Sequence, residues 1–268
     1  MKRMVLMAVV VTMLLAGAVA FAATPINTYQ AIYSFTPKRS GTAARPQRMT
    51  FMQKVHVTPG TAGQRAGILL NLRFSIRGLK IDGKDFPTCS VGRIRSAGTD
   101  SGCPRGAKVA TGFVQAQVGP STNTTAAAGI DCDPFLHVWN AGQGRLAFFF
   151  APALSGPRSC ANGLIKEGAV PPWQVRYRRS GGNLVVNVPI PGTVDNPAPG
   201  LFSSLQSLSL RWAGQTVRRG GRSFTSIVSV ACKGHTRPYR TAFRAKPLMG
   251  GASQQEAVSG TAPCSPSH

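Results

Sequence analysis

The chain reads as all-β: an antiparallel β-sandwich, immunoglobulin-like or jelly-roll-like, with disulfide-stapled loops. Three observations predict it. Apolar residues recur at every second position in many short segments, glycine and proline pairs punctuate those segments, and six cysteines lie beyond position 88. Strict alternation is the mark of a strand with one buried face. Short strands at even spacing, separated by turn residues, are the mark of a sandwich.

The alternation runs in order. Ala31, Tyr33 and Phe35 come first, then Met49, Phe51, Val55 and Val57. Leu70, Leu72, Phe74 and Ile76 alternate with Asn71, Arg73, Ser75 and Arg77. Val114, Ala116 and Val118 follow, then Trp173, Val175 and Tyr177, then Leu184, Val186, Val188 and Ile190. Leu208, Leu210 and Trp212 form another set, followed by Phe224, Val228 and Val230, and finally by Tyr239, Phe243 and Ala245. The continuous run Leu146 to Phe150 predicts a strand buried on both faces. Pro59-Gly60, Gly181-Gly182, Pro191-Gly192 and Gly220-Gly221 predict the turns. No segment sustains a helical period with caps; Ala126 to Ala128 and Pro199 to Leu205 offer a helical turn at most. The expected division is a signal peptide at 1–22, a β-sandwich domain at 23–246 and a low-complexity tail at 247–268. Two smaller sandwiches meeting near Gly119 to Gly129 are the alternative.

The N-terminus predicts export. Lys2 and Arg3 precede an apolar stretch from Val5 to Leu15, and Ala20-Phe21-Ala22 has the small-residue form of a cleavage site. An uncleaved anchor is the other reading of the same stretch, since Met4 to Ala22 nearly has the length of a membrane span. Export places the cysteines in an oxidising compartment, where six imply three disulfides. Local closure favours Cys89 with Cys103, Cys132 with Cys160, and Cys232 with Cys264 among the fifteen possible pairings. No C-x2-C spacing suggests zinc or a thioredoxin-like centre. The stretch from Phe86 to Gly106 therefore reads as a stapled loop.

Thirty-one basic residues stand against eight acidic ones, a formal charge of +23. Without Lys2 and Arg3 the count is 29 against 8, or +21. Such a field attracts polyanions: wall polymers, anionic headgroups, nucleic acid. Alternation turns Arg73, Arg77, Arg176 and Arg178 away from the core, because successive side chains leave opposite faces of a strand. These four are the candidate anion-binding residues. A solvated surface that also discourages edge pairing is the plainer reading of them.

Catalytic signatures are sparse. Glycoside hydrolysis needs two carboxylates, and the nearest thing to a cluster is Asp131, Asp133 and Glu167. Asp133-Pro134 equally suits a turn. No Gly-x-Ser-x-Gly, H-x-x-x-H, phosphate loop or dinucleotide fingerprint occurs. No cofactor and no metal ligand set is expected. His137 alternates onto the same face as Phe135 and Trp139. Basic and aromatic residues interleave at Trp173 to Arg179 and at Arg237 to Arg240, as in single-strand nucleic-acid platforms, but alternation turns Trp173 and Tyr177 inward.

LKIDGKDFPTC at Leu79 to Cys89, with CPRGAKV at Cys103 to Val109, resembles a motif of uncharacterised, secreted, disulfide-containing β-rich proteins of actinobacteria. SVACK at Ser229 to Lys233 and YRTAF at Tyr239 to Phe243 are similar to their closing strands. The resemblance implies an exported β-rich domain and brings no activity or site residue. The expected function is a secreted, non-catalytic protein, extracellular or cell-wall associated, that binds anionic polymers of the cell envelope or extracellular matrix. A secreted glycan hydrolase using Asp131, Asp133 or Glu167 is one alternative; an extracellular nucleic-acid binder is another.

Overall fold

The computed structural model describes residues 24–151 and 170–266. The expected signal peptide, Cys160 and Glu167 lie outside these residues. The strands, in chain order, are β1 (Asn27–Thr36), β2 (Gln47–Arg48), β3 (Thr50–Pro59), β4 (Ile68–Arg77), β5 (Leu79–Ile81) and β6 (Lys108–Pro120). Next come β7 (Ile130–Cys132), β8 (Phe135–Asn140), β9 (Arg145–Ala151), β10 (Trp173–Ser180), β11 (Asn183–Pro189) and β12 (Leu201–Ala213). The set ends with β13 (Thr216–Arg219), β14 (Arg222–Thr225), β15 (Ile227–Ser229), β16 (Thr236–Lys246) and β17 (Gln254–Pro263). One seven-residue helix, α1 (Val91–Ala97), and a single-turn helix, α2 (Gly192–Asp195), are added to them.

The expected all-β, antiparallel character is present, but the layers differ from a sandwich. A single 12-stranded sheet runs β1-β3-β12-β6-β8-β9-β10-β11-β4-β16-β17, with β7 attached to β6. It curls until β1 and β17 lie beside each other, giving a nearly closed barrel-like sheet. Tyr29 of β1 stacks on Phe243 of β16 at 4.0 Å between ring centres. Beyond the strands, Ser40 N–H donates to Ser265 O at 2.8 Å and Ser265 N–H to Lys38 O at 3.0 Å. Residues on both sides of Gly119 to Gly129 build this one sheet, so the two-sandwich alternative does not hold.

Alternation explains the strands. β1 buries every second residue from Asn27 to Phe35 and exposes those between. β9 is buried on both faces, as its unbroken apolar run predicts: Leu146 and Phe148 point into the barrel, Ala147 and Phe149 into a smaller cluster outside it. Within the barrel Trp212 is fully buried, stacked on Phe51 at 5.4 Å and edge-on to Phe74 at 5.7 Å. Its Nε1–H donates to Gln53 Oε1 at 3.0 Å, and Gln53 Nε2–H donates to Tyr33 Oη at 3.1 Å. Tyr33 Oη meets Thr241 Oγ1 at 2.9 Å. Four strands, β12, β3, β1 and β16, are thus joined by one buried polar chain.

Two expectations about segments are corrected. Residues 247–268, set apart by composition as a low-complexity tail, carry β17, which pairs with β16 over ten residues from Thr236↔Pro263 to Ala245↔Gln254. Its small and polar side chains leave the ladder hydrogen bonds to hold it, and Cys264 ties its end to Cys232. Leu201 to Leu205 are not a helical turn but the start of β12.

The polar chain in the barrel yields a stability prediction. Gln53→Met keeps the volume but leaves the Trp212 indole N–H without a partner in an interior where water cannot replace it. The variant should lose about 2 kcal/mol in urea unfolding followed by tryptophan fluorescence. Ser209→Ala, on the outer side of β12, should change stability by less than about 0.5 kcal/mol.

Candidate functional site

The stapled loop is the most constructed part of the outer surface. Cys89 and Cys103 are joined with Cα atoms 5.5 Å apart, as the spacing predicts. Cys232 and Cys264 are joined at 5.9 Å. For the expected Cys132–Cys160 pair, Cys160 lies outside the described residues; no described cysteine is free. The helix α1 inside the first loop has ordinary local causes. Ser90 caps it by accepting from Arg93 N–H at 3.1 Å, and Gly98 ends it in the left-handed region at φ 67°. Only Ile94 is buried, and it packs with Cys89, Trp139 and Phe149 on the outside of β8 and β9. Asn140, at the end of β8, holds the loop entrance through Nδ2–H bonds to Gly83 O at 2.9 Å and Pro87 O at 3.0 Å. A Cβ at Gly83 would come within 2.4 Å of Asn140 Oδ1, so that position needs glycine.

The loop delivers Asp100 to the strand surface. Cys103 N–H donates to Asp100 O at 3.0 Å, closing the turn beside the disulfide. Asp100 Oδ2 then lies 2.6 Å from His137 Nδ1 and accepts from Trp139 Nε1–H at 2.9 Å. An ionised carboxylate only accepts, so His137 carries its proton on Nδ1 and turns Nε2 away. Desolvation pushes the Asp100 carboxyl up. The hydrogen bond and charge of His137, the Trp139 indole and the charge of Lys108 outweigh it, and the group sits below the usual carboxylate value. Lys108 Nζ stands 4.7 Å over the Trp139 ring. His137 and Trp139 share one face, as alternation predicts, and it is the outer one. Asp100 was missed: nothing in the sequence marks it except its position inside a staple.

Beside this group is a cleft of about 460 Å³ lined by Asp100, Arg105, Lys108, Thr111, Trp139 and Arg211, among others. Register explains the assembly. Arg211 of β12 faces Thr111 of β6, and Thr111 faces His137 of β8. The next outward position holds Phe113 opposite Phe135, each 43 % exposed.

The four predicted arginines lie elsewhere, on the outside of β4 and β10. Arg73, Arg176 and Arg178 are exposed. Arg77 is half-buried, its Nη1–H donating to Gly181 O at 2.6 Å across the β10–β11 turn. Cross-strand register lines up Arg145, Arg176, Asn187, Arg73 and Ala242. The neighbouring row is Arg178, Val185, Ser75, Arg240 and Ser259. No acidic residue occupies an outward position of β4, β10, β11, β16 or β17. Arg237 departs from the basic-aromatic reading: it is fully buried, bonded to Arg77 O, Ser229 Oγ and Cys264 Sγ, with its guanidinium over Phe35 at 5.1 Å. Burial without a carboxylate lowers its pKa to about 10. Trp173 is buried and Tyr177 half-buried, which removes that stacking platform as well.

Two of the three hydrolase candidates lie among the described residues. Asp131 is exposed on β7 and accepts from Gln117 Nε2–H at 3.4 Å; Asp133 is half-buried after β7; Glu167 lies outside the described residues. Burial of Asp195 in α2 raises its pKa to about 6 despite Lys246. Among the described residues, no group of three or more His, Cys, Asp or Glu is placed to hold a metal ion.

Asp100 makes the acid limb of stability testable. Its lowered native pKa means that its contribution is complete above the unfolded value of about 4 and is lost as pH falls through the native value. Asp100→Asn should cost about 1–3 kcal/mol at neutral pH and flatten the loss of stability below pH 4, measured by denaturant unfolding across pH. An unchanged acid limb would show that the carboxylate holds nothing.

No family model, curated protein or solved structure matches the chain, so an assignment of function rests on its own residues.

Proposed function

We propose that the protein is an exported, non-catalytic, disulfide-stapled β-barrel-like domain that associates with anionic polymers of the cell envelope or extracellular matrix through its arginine face. The observation that carries this reading is the register of β9, β10, β11, β4 and β16, which gathers Arg145, Arg176, Arg178, Arg73 and Arg240 on one side with no carboxylate among them. Strands of one sheet lie about 4.8 Å apart, well inside the screening length of about 8 Å at physiological salt, so these charges act as one field. Their mutual repulsion is relieved when a polyanion displaces the counterions around them. The two described disulfides support an oxidising compartment. The face is arginine-rich over several neighbouring strands, which suits a backbone of repeated negative charges better than a small molecule.

Arg73, Arg176 and Arg178 can be changed without touching the core, because all three are exposed. The triple serine variant should keep its unfolding midpoint and weaken binding to anionic wall polymer. The slope of log affinity against log salt should fall by about one for each contact removed. Binding that is unchanged in the variant, or that persists unaltered at high salt, would defeat the proposal.

A further inference from the structure

The cleft beside the stapled loop has a different character from the arginine face and lies on β6, β8 and β12. Three cations line it, Arg105, Lys108 and Arg211. The ion pairs found among the described residues are Lys80–Asp82 and His137–Asp100, so none of the three is ion-paired, although the charge of Lys108 acts on Asp100. Asp100, the acid in the cleft, is committed to His137 and Trp139. The cleft thus has an unbalanced positive charge in a concave setting, where an oxyanion gains more than on an open face. Two guanidiniums match the bidentate geometry of a phosphate, and an ammonium adds a point charge.

Directly along the same outer face are Phe113 and Phe135, opposite one another and exposed. Phe113 lies two residues after Thr111 and Phe135 two residues before His137, about 7 Å along the strands. The two rings thus stand one outward position beyond the row that borders the cleft. Ser209 faces Phe113 from β12, and Gln115 follows it on β6 with its amide oxygen accepting from Ser207 Oγ at 2.6 Å. Exposed aromatic rings bordered by hydroxyl and amide groups suit a sugar: the rings take its C–H face and the polar neighbours its hydroxyls.

We propose that this cleft binds a sugar-phosphate unit, with the phosphate held by Arg105, Lys108 and Arg211 and the ring laid on Phe113 and Phe135. The unit comes either from a free phosphomonoester or from a sugar joined through a phosphodiester within a polymer. The site goes beyond the arginine face and stands whether or not that face binds polymer.

Calorimetry on the mature, oxidised chain separates the possibilities, with inorganic phosphate, glucose 6-phosphate, the glycerol diester of glucose 6-phosphate, and adenosine monophosphate as probes. Glucose 6-phosphate should bind in a 1:1 ratio. Each of Arg105→Ala and Arg211→Ala should weaken it about tenfold. The Phe113→Ala/Phe135→Ala variant should weaken glucose 6-phosphate severalfold and leave inorganic phosphate unchanged. Binding of the diester as tightly as the monoester identifies a polymer as the source; binding of the monoester alone identifies a free phosphate ester. The triple arginine-face variant should bind all four probes as the parent does, so the two sites succeed or fail separately. All four altered side chains are exposed, and near-ultraviolet circular dichroism checks that the variants stay folded. The proposal is overturned if neither glucose phosphate binds, or if the arginine variants bind as the parent does. Tighter binding of adenosine monophosphate than of glucose 6-phosphate would overturn its sugar half.

Discussion

Tyr33 reaches Thr241 across the place where the two ends of the sheet approach each other, and the rest of the molecule depends on that meeting. An 11-strand path of antiparallel ladders can curl either way or stay open; ladder hydrogen bonds do not decide it. What decides it is the interior that curling creates. Phe51, Phe74, Trp212, Tyr33 and Phe243 fill that interior, and Gln53 supplies both the acceptor for the indole and a donor for the phenol. Burying these polar groups unpaired would oppose closure. Joined in sequence, they connect strands that are far apart in the chain and give the barrel one arrangement in preference to several.

The outer surface inherits its properties from this interior. Once every second residue points inward, the remaining positions, except where the stapled loop covers β8 and β9, are free to carry charge. On β4, β9, β10 and β16 they carry arginine; on β6 and β8 they carry threonine, histidine and phenylalanine. The stapled loop covers the outside of β8 and β9, where Trp139 and Phe149 would otherwise be wet. Its disulfide therefore acts twice, limiting the unfolded chain and holding Asp100 over the strand surface.

Much of this was legible in the sequence, and the reasons for the remainder are physical. Alternation located β1, β3, β4, β10, β11 and β16, because a side chain that faces a core must be apolar. The same alternation could not distinguish a sandwich from a barrel, since both present one buried face per strand. β17 was hidden because Gln254, Glu256, Val258 and Gly260 are held by backbone pairing and contribute little apolar burial. α1 is too short to show a period, although Ser90 and Gly98 at its ends were visible caps. Arg237 shows a rule applied to one residue and not to its neighbour. Placing Tyr239 inward also places Arg237 inward, and the chain satisfies that arginine with a carbonyl, a hydroxyl and a sulfur. Asp100 and His137 are 37 positions apart, and only the fold brings them together.

The seam between β1 and β17 has a bearing on how this protein behaves among copies of itself. An outermost strand normally offers a row of unused amide and carbonyl groups to any chain that can extend alongside it. Here each outermost strand stands in front of the other, so a strand-rich molecule presents little free backbone for lateral growth. The guard on one side is the last ladder of the chain, made of small and polar residues and fastened by Cys232 and Cys264. Clipping or reducing that terminus would uncover β1 and the flank of β16 together. The ladder from Gln254 to Pro263 thus shields two edges at once, its own neighbour's and that of β1.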